Sequence, residues 1–339
     1  MYKIIRPILF QLDPEKAHEA AIWLGKSLWS RPFSWLYHYE HECLRTNVCG
    51  IDFTNPVGLA AGFDKNAELV DFLPALGFGF LEVGSVTAKP SAGNPRPRLF
   101  RIPAEEALVN KMGLNNIGAG EMLGRLQGRK FSFPLGINIA KTNDSTIMGD
   151  KAIEDMCYTI QKISPVADYI TLNISCPNTK DGKTCEDSDQ LEELLAAITP
   201  GKPLFIKISP TLSYKMLDGI LSVAENYGVN GYVLSNTITH SDGGLSGKPL
   251  REKATKIIQY VYSHLDHPTI IGVGGIFSAE DAYEKIKAGA SLIQVYTGLI
   301  YEGPGLVKKI KKGLVTLLER DGFSSVREAV GSYTESTGE

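Results

Sequence analysis

One repeat constrains this chain of 339 residues more than any other feature: from Asn55 onward, short runs rich in β-branched residues alternate with helical patterns. Each run ends in a polar or glycine-rich turn. Eight runs predict strands over residues 57–61, 80–83, 135–139, 169–172, 204–208, 232–234, 269–273 and 292–295. Helical patterns follow most of them, for example over 68–76, 216–227, 279–288 and 306–318. Because repeated βα units make neighbouring strands parallel, we predict an α/β fold closed as a (β/α)8 TIM barrel.

Composition excludes several classes of protein. A net charge of −3 argues against a nucleic-acid surface. The five cysteines contain no Cys-x-x-Cys pair, so we expect reduced thiols and no metal site or disulfide scaffold. Pro7, Gln11 and Asp13 interrupt the first apolar run before it reaches signal-peptide or membrane-spanning length, and we expect the chain not to cross a membrane.

The first forty residues differ from the rest, because they contain all three tryptophans, Trp23, Trp29 and Trp35. Asp13 followed by Pro14 predicts a helix start. Two interpretations stay open on composition alone: a helical pair that packs on the main domain, or amphipathic helices whose aromatic residues meet a membrane or line an entrance for an apolar ligand. We expect a helical segment over 1–40, a barrel over 41–330 and a flexible tail over 331–339.

Polar residues follow six successive strands, at the end of a barrel where active sites are built. A lysine or asparagine at one strand end is ordinary surface polarity, but six in succession are not. The residues concerned are Lys65, Ser85 with the loop 110–116, Asn138, Asn173, Lys207, and Ser235 with Asn236 and Thr237.

The fourth strand continues into a turn that carries Asn173, Ser175, Cys176 and Asn178. Each asparagine offers an acceptor and two donors, so a pair that brackets a cysteine can hold a flat polar ligand beside a proton acceptor. An Asx turn with an incidental cysteine explains this segment equally well when it is taken alone. The other strand ends favour an active site.

Glycines follow the last two strands. Gly272-Val273-Gly274-Gly275 precedes a predicted helix, and Tyr296-Thr297-Gly298 ends the eighth strand. Glycine lets backbone amides approach a phosphate, and barrels often bind phosphate after strands seven and eight. A Rossmann fingerprint does not fit, because the third glycine and the acidic partner are missing. A phosphorylated cofactor is therefore predicted, and flavin mononucleotide (FMN) fits best.

Over essentially its whole length the chain resembles the dihydroorotate dehydrogenases, flavin enzymes of pyrimidine (UMP) biosynthesis. The motifs that carry the resemblance are Ala-Gly-Phe-Asp-Lys (61–65), Gly-Asn-Pro-Arg-Pro-Arg-Leu-Phe-Arg (93–101), Asn-Lys-Met-Gly-Leu-Asn-Asn (110–116), Gly-Gly-Leu-Ser-Gly-Lys-Pro-Leu (243–250) and Ile-Gly-Val-Gly-Gly-Ile (271–276). Residues 9–18 resemble the N-terminal extension of the membrane-associated, quinone-reducing class. This resemblance favours the membrane interpretation of the first forty residues.

The resemblance also implies site residues. It places FMN against Ala61, Gly62, Phe63, Asp64, Lys65, Ser85, Asn138, Asn173, Lys207, Ser235, Gly247, Gly275, Tyr296 and Thr297. It places dihydroorotate against Lys65, Asn110, Lys111, Met112, Gly113, Leu114, Asn173, Asn178, Asn236 and Thr237. Cys176 stands at the position of the base that takes a proton from C5 while C6 delivers hydride to the flavin.

Cys176 departs from the class that the N-terminus indicates. Quinone-linked members generally carry serine at this position, and cysteine is typical of the soluble class that uses fumarate or NAD as acceptor. We give more weight to the forty-residue extension than to one residue, and expect a quinone acceptor with fumarate or NAD as the alternative. A non-catalytic flavin-binding or membrane-scaffold protein is a third hypothesis. The expected location is peripheral, on the cytoplasmic side of the cell membrane.

Overall fold

The computed structural model describes residues 2–27, 35–174, 187–199 and 201–333. Two helices come first, α1 (Tyr2–Leu9) and α2 (Pro14–Lys26), followed by a hairpin of β1 (Thr46–Val48) and β2 (Ile51–Phe53). The predicted helix start is confirmed, because Asp13 Oδ1 accepts hydrogen bonds from the backbone N–H groups of Glu15 and Lys16, 3.0 Å from each.

The remaining elements alternate along the chain, and all eight predicted strands are present. They are β3 (Val57–Leu59), β4 (Phe80–Val86), β5 (Leu99–Ile102), β6 (Ala107–Asn110), α3 (Gly118–Leu126), β7 (Leu135–Ile139), α4 (Asp150–Ile163), β8 (Tyr169–Asn173), α5 (Ser188–Ala197), β9 (Leu204–Ile208), α6 (Tyr214–Asn226), β10 (Gly231–Leu234), β11 (Ile238–His240), β12 (Gly243–Gly247), α7 (Arg251–His264), β13 (Ile270–Val273), α8 (Ala279–Lys287), β14 (Leu292–Val295), α9 (Thr297–Glu302) and α10 (Leu306–Asp321). The strands β3, β4, β7, β8, β9, β10, β13 and β14 pair in parallel and close a barrel in that order. The TIM-barrel prediction is confirmed.

Large aromatic rings fill the amino-terminal end of the barrel interior because a glycine lies opposite each of them. A Cβ added to any of these glycines would come within 3 Å of the facing ring, so a larger residue would clash. The cross-strand pairs are Gly58 with Phe80, Gly136 with Tyr169, and Gly231 with Phe205. The barrel is therefore a packed core at this end, and polar side chains are left for the layer above.

The two long excursions of the barrel join into a second sheet. Strands β5 and β6 come from the connection after β4, and β11 and β12 from the connection after β10. They pair antiparallel in the order β11, β12, β6, β5, which places Asn110 opposite Gly244. This sheet brings the loop after β6 to the carboxyl end of the barrel. The connection after β8 lies for the most part outside the described residues.

The helix predicted over 68–76 is wrong. The structure has only a short 3-10 helix, Leu73–Leu76, in this stretch. Ala67 adopts a positive φ of 54°, which an α-helix does not accommodate, and the Asp64 carboxylate accepts the backbone N–H groups of Glu68 and Leu69 at 2.8 Å. Pro74 also lies within this stretch and has no N–H group to donate to the Val70 carbonyl, so a continuous helix over 68–76 would lose that hydrogen bond.

The N-terminal helices pack on the barrel but leave apolar side chains in solvent. Tyr2 and Arg6 donate hydrogen bonds to the carbonyls of Ile300 and Tyr301, at 2.6 and 2.9 Å. The exposed apolar residues of the segment include Ile4, Ile8, Trp23, Leu24 and Trp35, and Ile4 is 79% exposed. Among the described residues, no helix combines the length and apolar character that crossing a bilayer requires. The segment thus both packs on the barrel and presents an apolar surface.

Candidate active site

A cavity opens at the carboxyl end of the barrel, where the strand-end residues were predicted to meet. Seventeen of the predicted residues line it: Ala61, Gly62, Lys65, Ser85, Asn110, Met112, Gly113, Leu114, Asn173, Lys207, Ser235, Asn236, Thr237, Gly247, Gly275, Tyr296 and Thr297. Parallel strands place their carboxyl ends at one rim, so residues far apart in sequence converge there. Cys176 and Asn178 lie outside the described residues, as do Trp29 and the other residues of the turn from 175 onward.

Four predicted residues do not line the cavity. Asp64 is 1% exposed, and its carboxylate accepts hydrogen bonds from the backbone N–H groups of Glu68 and Leu69. These bonds stabilise the loop that carries Lys65. The Lys111 ammonium lies over the Phe100 ring, 5.5 Å from its centroid. Phe63 and Asn138 each contact a residue that lines the cavity, Tyr296 and Ser85, and are described below.

Beneath the cavity, Glu82 on β4 is fully buried and forms the centre of a polar layer. Its Oε1 accepts a hydrogen bond from Asn138 Nδ2 at 2.9 Å. Its Oε2 accepts from Gln294 Nε2 at 2.8 Å, Thr171 Oγ1 at 3.2 Å and Tyr169 Oη at 3.3 Å. Four donors from three strands therefore stabilise one carboxylate inside the barrel, which a buried charge requires.

A chain of hydrogen bonds runs from this layer to the cavity wall. Ser85 Oγ donates to Asn138 Oδ1, and Asn173 Nδ2 donates to Ser85 Oγ at 3.3 Å. Asn236 Nδ2 donates to Asn173 Oδ1 at 3.4 Å, and Asn236 Oδ1 accepts the N–H of Thr237 at 2.9 Å. Because each link fixes which end of an amide is the donor, the chain orients the amides that face the cavity.

Lys207 brings a cation to the same cavity at the end of β9. Its side chain is 7% exposed. Burial lowers the pKa of Lys207, and the negative charge of Glu82 opposes that shift. Lys207 thus stands at the cavity wall with a carboxylate in the layer below it.

The loop after β6 is held in place from several sides. Asn94 Nδ2 donates to the carbonyl of Lys111 at 2.8 Å, and Asn143 Nδ2 donates to the carbonyl of Gly113 at 3.1 Å. Lys65 Nζ contacts Asn115 Oδ1. The backbone that faces the cavity over 110–114 is therefore fixed before any ligand arrives, which lowers the entropy that binding must remove.

The opposite wall is built from glycines and the start of α9. Gly274 and Gly275 have φ values of 116° and 69°, a conformation that favours glycine. A Cβ on Gly275 would lie 2.4 Å from the Arg251 Cα. The first N–H groups of α9, at Thr297 and Gly298, have no partner within the helix. This wall offers backbone donors to an anion, in agreement with the predicted phosphate position.

Aromatic rings connect the N-terminal segment to the cavity. His18 on α2 and Phe63 meet edge to face with centroids 5.0 Å apart, and Phe63 meets Tyr296 in the same way at 5.7 Å. Burial and then the nearby Lys65 lower the pKa of His18, which favours a neutral imidazole. Burial raises the pKa of Tyr296 to about 12, so its hydroxyl stays protonated. Phe63 therefore joins α2 to the cavity and does not line it.

Sequence reasoning missed part of the cavity wall and the layer below it. The missed lining residues are Ala60, Ser246, Leu250, Ile276, Gln294 and Val295, whereas Val273, Gly274 and Gly298 belong to the glycine-rich turns that were predicted to approach a phosphate. Two polar residues had a signal: Glu82 and Gln294 each interrupt an otherwise apolar buried strand. A polar residue at such a position is either hydrogen-bonded in the core or functional.

Comparisons with known proteins agree with this geometry. The family model described as dihydroorotate dehydrogenase matches residues 43–318. Relatives named dihydroorotate dehydrogenase (quinone) are 42% identical in Gloeobacter violaceus and 43% identical in Natronomonas pharaonis, and each alignment covers 98% of this chain and at least 98% of the relative. A crystal structure of DHODH from Eimeria tenella in complex with ferulenol is 32% identical with a TM-score of 0.82, over 94% of this chain and 95% of that one.

Proposed function

Because this chain belongs to the dihydroorotate dehydrogenase family, we propose that it oxidises (S)-dihydroorotate to orotate in pyrimidine biosynthesis, with FMN as cofactor and a membrane quinone as electron acceptor. The observation that carries the proposal is the cavity, where a buried lysine, a chain of oriented amides and a glycine-rich anion wall meet at one rim. Full-length relatives named as quinone-dependent support the choice of acceptor.

The cavity fits FMN on two grounds. Gln294 Oε1 is buried in the floor and no residue of the described part of the chain hydrogen-bonds to it, and Gly275 with the start of α9 offers backbone donors for one terminal phosphate. The residues proposed to hold the cofactor are the predicted set that lines the cavity, with Asn138 supporting it from below. The bound flavin supplies the redox chemistry, taking electrons from the substrate and giving them to the quinone. Lys207 favours that uptake by holding a positive charge beside the ring.

Dihydroorotate is proposed to lie against Lys65, the loop 110–114, Asn173, Asn236 and Thr237. The Lys65 ammonium pairs with the substrate carboxylate, and the amides hydrogen-bond with the carbonyl and N–H groups of the ring. Because Asn173 and Asn236 hold one another, one amide cannot turn without disturbing the other. The proposed roles of Lys111 and Asn178 remain predictions from the resemblance.

Cys176 is proposed as the base that removes the proton from C5. A thiol has an unperturbed pKa of about 8.5 and reacts as the thiolate. The residue follows Asn173 by three positions in the sequence, directly after the strand that delivers Asn173 to the cavity. Iodoacetamide should inactivate the enzyme by modifying Cys176, with protection by orotate. Inactivation traced to Cys185 instead would contradict this role.

The quinone is proposed to approach between the N-terminal helices and Phe63. The aromatic contacts from His18 through Phe63 to Tyr296 lead from α2 to the cavity, and the exposed apolar residues of α1 and α2 suit the interface of a membrane. We propose peripheral attachment at the cytoplasmic face of the cell membrane through residues 1–40. Ile4→Glu combined with Ile8→Glu should weaken binding to anionic vesicles, whereas Tyr214→Glu, at another exposed site on α6, should not.

The decisive test separates the two half-reactions. Dihydroorotate should bleach the yellow holoenzyme anaerobically, and persistent colour would contradict the assignment. Steady-state turnover is then measured with ubiquinone and menaquinone analogues, fumarate and NAD. Cys176 favours the fumarate or NAD alternative, and rapid turnover with either together with none on a quinone would establish that alternative.

A further inference from the structure

Gln294 on β14 has an amide whose two ends meet different surroundings. Its side chain is fully buried, and it lines the floor of the cavity. Its Nε2 donates to Glu82 Oε2 at 2.8 Å, while its Oε1 has no hydrogen-bond partner among the described residues. Burying an acceptor without a hydrogen-bond donor costs the free energy of desolvation with no compensating hydrogen bond, and native structures contain few such acceptors.

The surroundings of Glu82 decide which end of the amide faces the cavity. Glu82 also accepts hydrogen bonds from Asn138, Tyr169 and Thr171, so its oxygens are surrounded by donors. A flipped Gln294 would turn its oxygen toward a carboxylate oxygen, where both atoms are acceptors and repel. The network therefore assigns Nε2 to Glu82 and leaves Oε1 for a ligand.

Resting on the proposed FMN site, we propose that Gln294 is a cofactor-binding residue whose Oε1 accepts a hydrogen bond from a donor group of the flavin. Two parts of the cofactor carry such groups. The oxidised ring system has a single N–H, at N3, and the ribityl chain has hydroxyls. Either donor would satisfy the buried oxygen. Because Gln294 lies in the floor of the cavity, it would contact the flavin from the barrel interior.

Two substitutions at Gln294 remove the cavity contact, and a third substitution controls for the lost support of Glu82. Gln294→Leu and Gln294→Met both remove the acceptor and the donor to Glu82, and the second keeps an unbranched side chain in case the first packs poorly. Thr171→Val is the matched control, because it removes another donor from Glu82 Oε2 and Thr171 does not line the cavity.

The experiment measures the rate at which each holoenzyme releases its flavin on dilution, followed by the recovery of flavin fluorescence. Holoenzymes with 3-methyl-FMN, or with an analogue whose ribityl chain is a plain pentyl phosphate, are prepared by exchange against excess analogue. We expect the Gln294 variants to release FMN about tenfold faster than wild type, as the loss of one hydrogen bond worth ~1.4 kcal/mol would cause. Thr171→Val should release it within about twofold of wild type.

The analogues identify the donor. With the analogue that lacks the group bound by Gln294, wild type and the Gln294 variants should release flavin at the same rate. Loss of the difference with 3-methyl-FMN assigns N3–H, and loss with the pentyl analogue assigns a ribityl hydroxyl. The same acceleration with all three flavins, or none with FMN, would overturn the inference. The proposed function fails separately, if wild type retains no FMN or dihydroorotate does not bleach it.

Discussion

Glu15 on α2 and Arg98, just before β5, form an ion pair that is almost completely buried. Arg98 Nη2 lies 2.7 Å and Nε lies 3.1 Å from Glu15 Oε1, and both residues are 6% exposed. Arg98 also donates to the carbonyl of Asn94, the residue whose side chain holds the carbonyl of Lys111. The N-terminal segment is thus connected through two residues to the loop that faces the cavity.

Glu15→Ala should lower the free energy of unfolding by about 3–5 kcal/mol, because it leaves the Arg98 guanidinium buried without its anion. Chemical denaturation measures the change. Glu19→Ala is the control: Glu19 and its partner Arg96 are about half exposed, and the loss should stay below ~1 kcal/mol. Equal losses would contradict the importance of burial.

Phe63→Leu should slow turnover with quinone while leaving anaerobic bleaching by dihydroorotate near the wild-type rate. The ring lies between His18 and Tyr296, so its loss disrupts the aromatic contacts on the proposed quinone side and spares the loop 110–114. Phe131→Leu, in the loop before β7, controls for loss of an aromatic ring elsewhere. An equal decrease in both half-reactions would argue against a quinone role for Phe63.

Lys207→Met should slow the reduction of the flavin by dihydroorotate about 10²–10³-fold, because a preorganised charge beside the developing anion is removed. Single-turnover absorbance measures the rate, and Lys202→Met controls for loss of a lysine near the start of β9. Because burial lowers the pKa of Lys207, this side chain loses its proton at a lower pH than an exposed lysine does. The wild-type rate of flavin reduction should therefore begin to fall at that lower pH. That alkaline decrease should be absent from Lys207→Met, and its persistence there would assign it to another group.

Lys285→Met should change how stability depends on pH. Lys285 on α8 is fully buried. Its Nζ donates hydrogen bonds to the Arg251 carbonyl and to Thr255 Oγ1. Burial lowers the pKa of Lys285 to about 8. Between pH 8 and 10 the unfolded state binds more protons at this residue than the folded state, so wild type gains stability as the pH rises. Over this pH range the free energy of unfolding of wild type should rise by about 2–3 kcal/mol relative to that of Lys285→Met. Denaturation at each pH measures this, and Lys253→Met, at an exposed position on α7, should show no such trend.

Much of the architecture was predictable because it repeats. Leu135–Ile139, Leu204–Ile208 and Leu292–Val295 were predicted to the residue, since an apolar strand bounded by polar turns leaves few alternative interpretations. The prediction for 68–76 failed because apolar spacing alone does not account for Pro74, which cannot donate the helical hydrogen bond to the Val70 carbonyl. Residues that line the cavity from a strand end were found. Those that act from inside the barrel, Glu82 and Gln294, were not.

Sequence alone determined the parallel barrel, the rim at which its polar residues gather, and the family whose motifs they match. These depend on periodicity and order along the chain, which are local properties. Only the tertiary structure decided that Phe63 joins α2 to Tyr296, that Glu15 neutralises Arg98, and that Gln294 donates its amide to Glu82. Each of these depends on which donor or acceptor faces which across the fold, and such pairings arise only when strands distant in sequence close around a common interior.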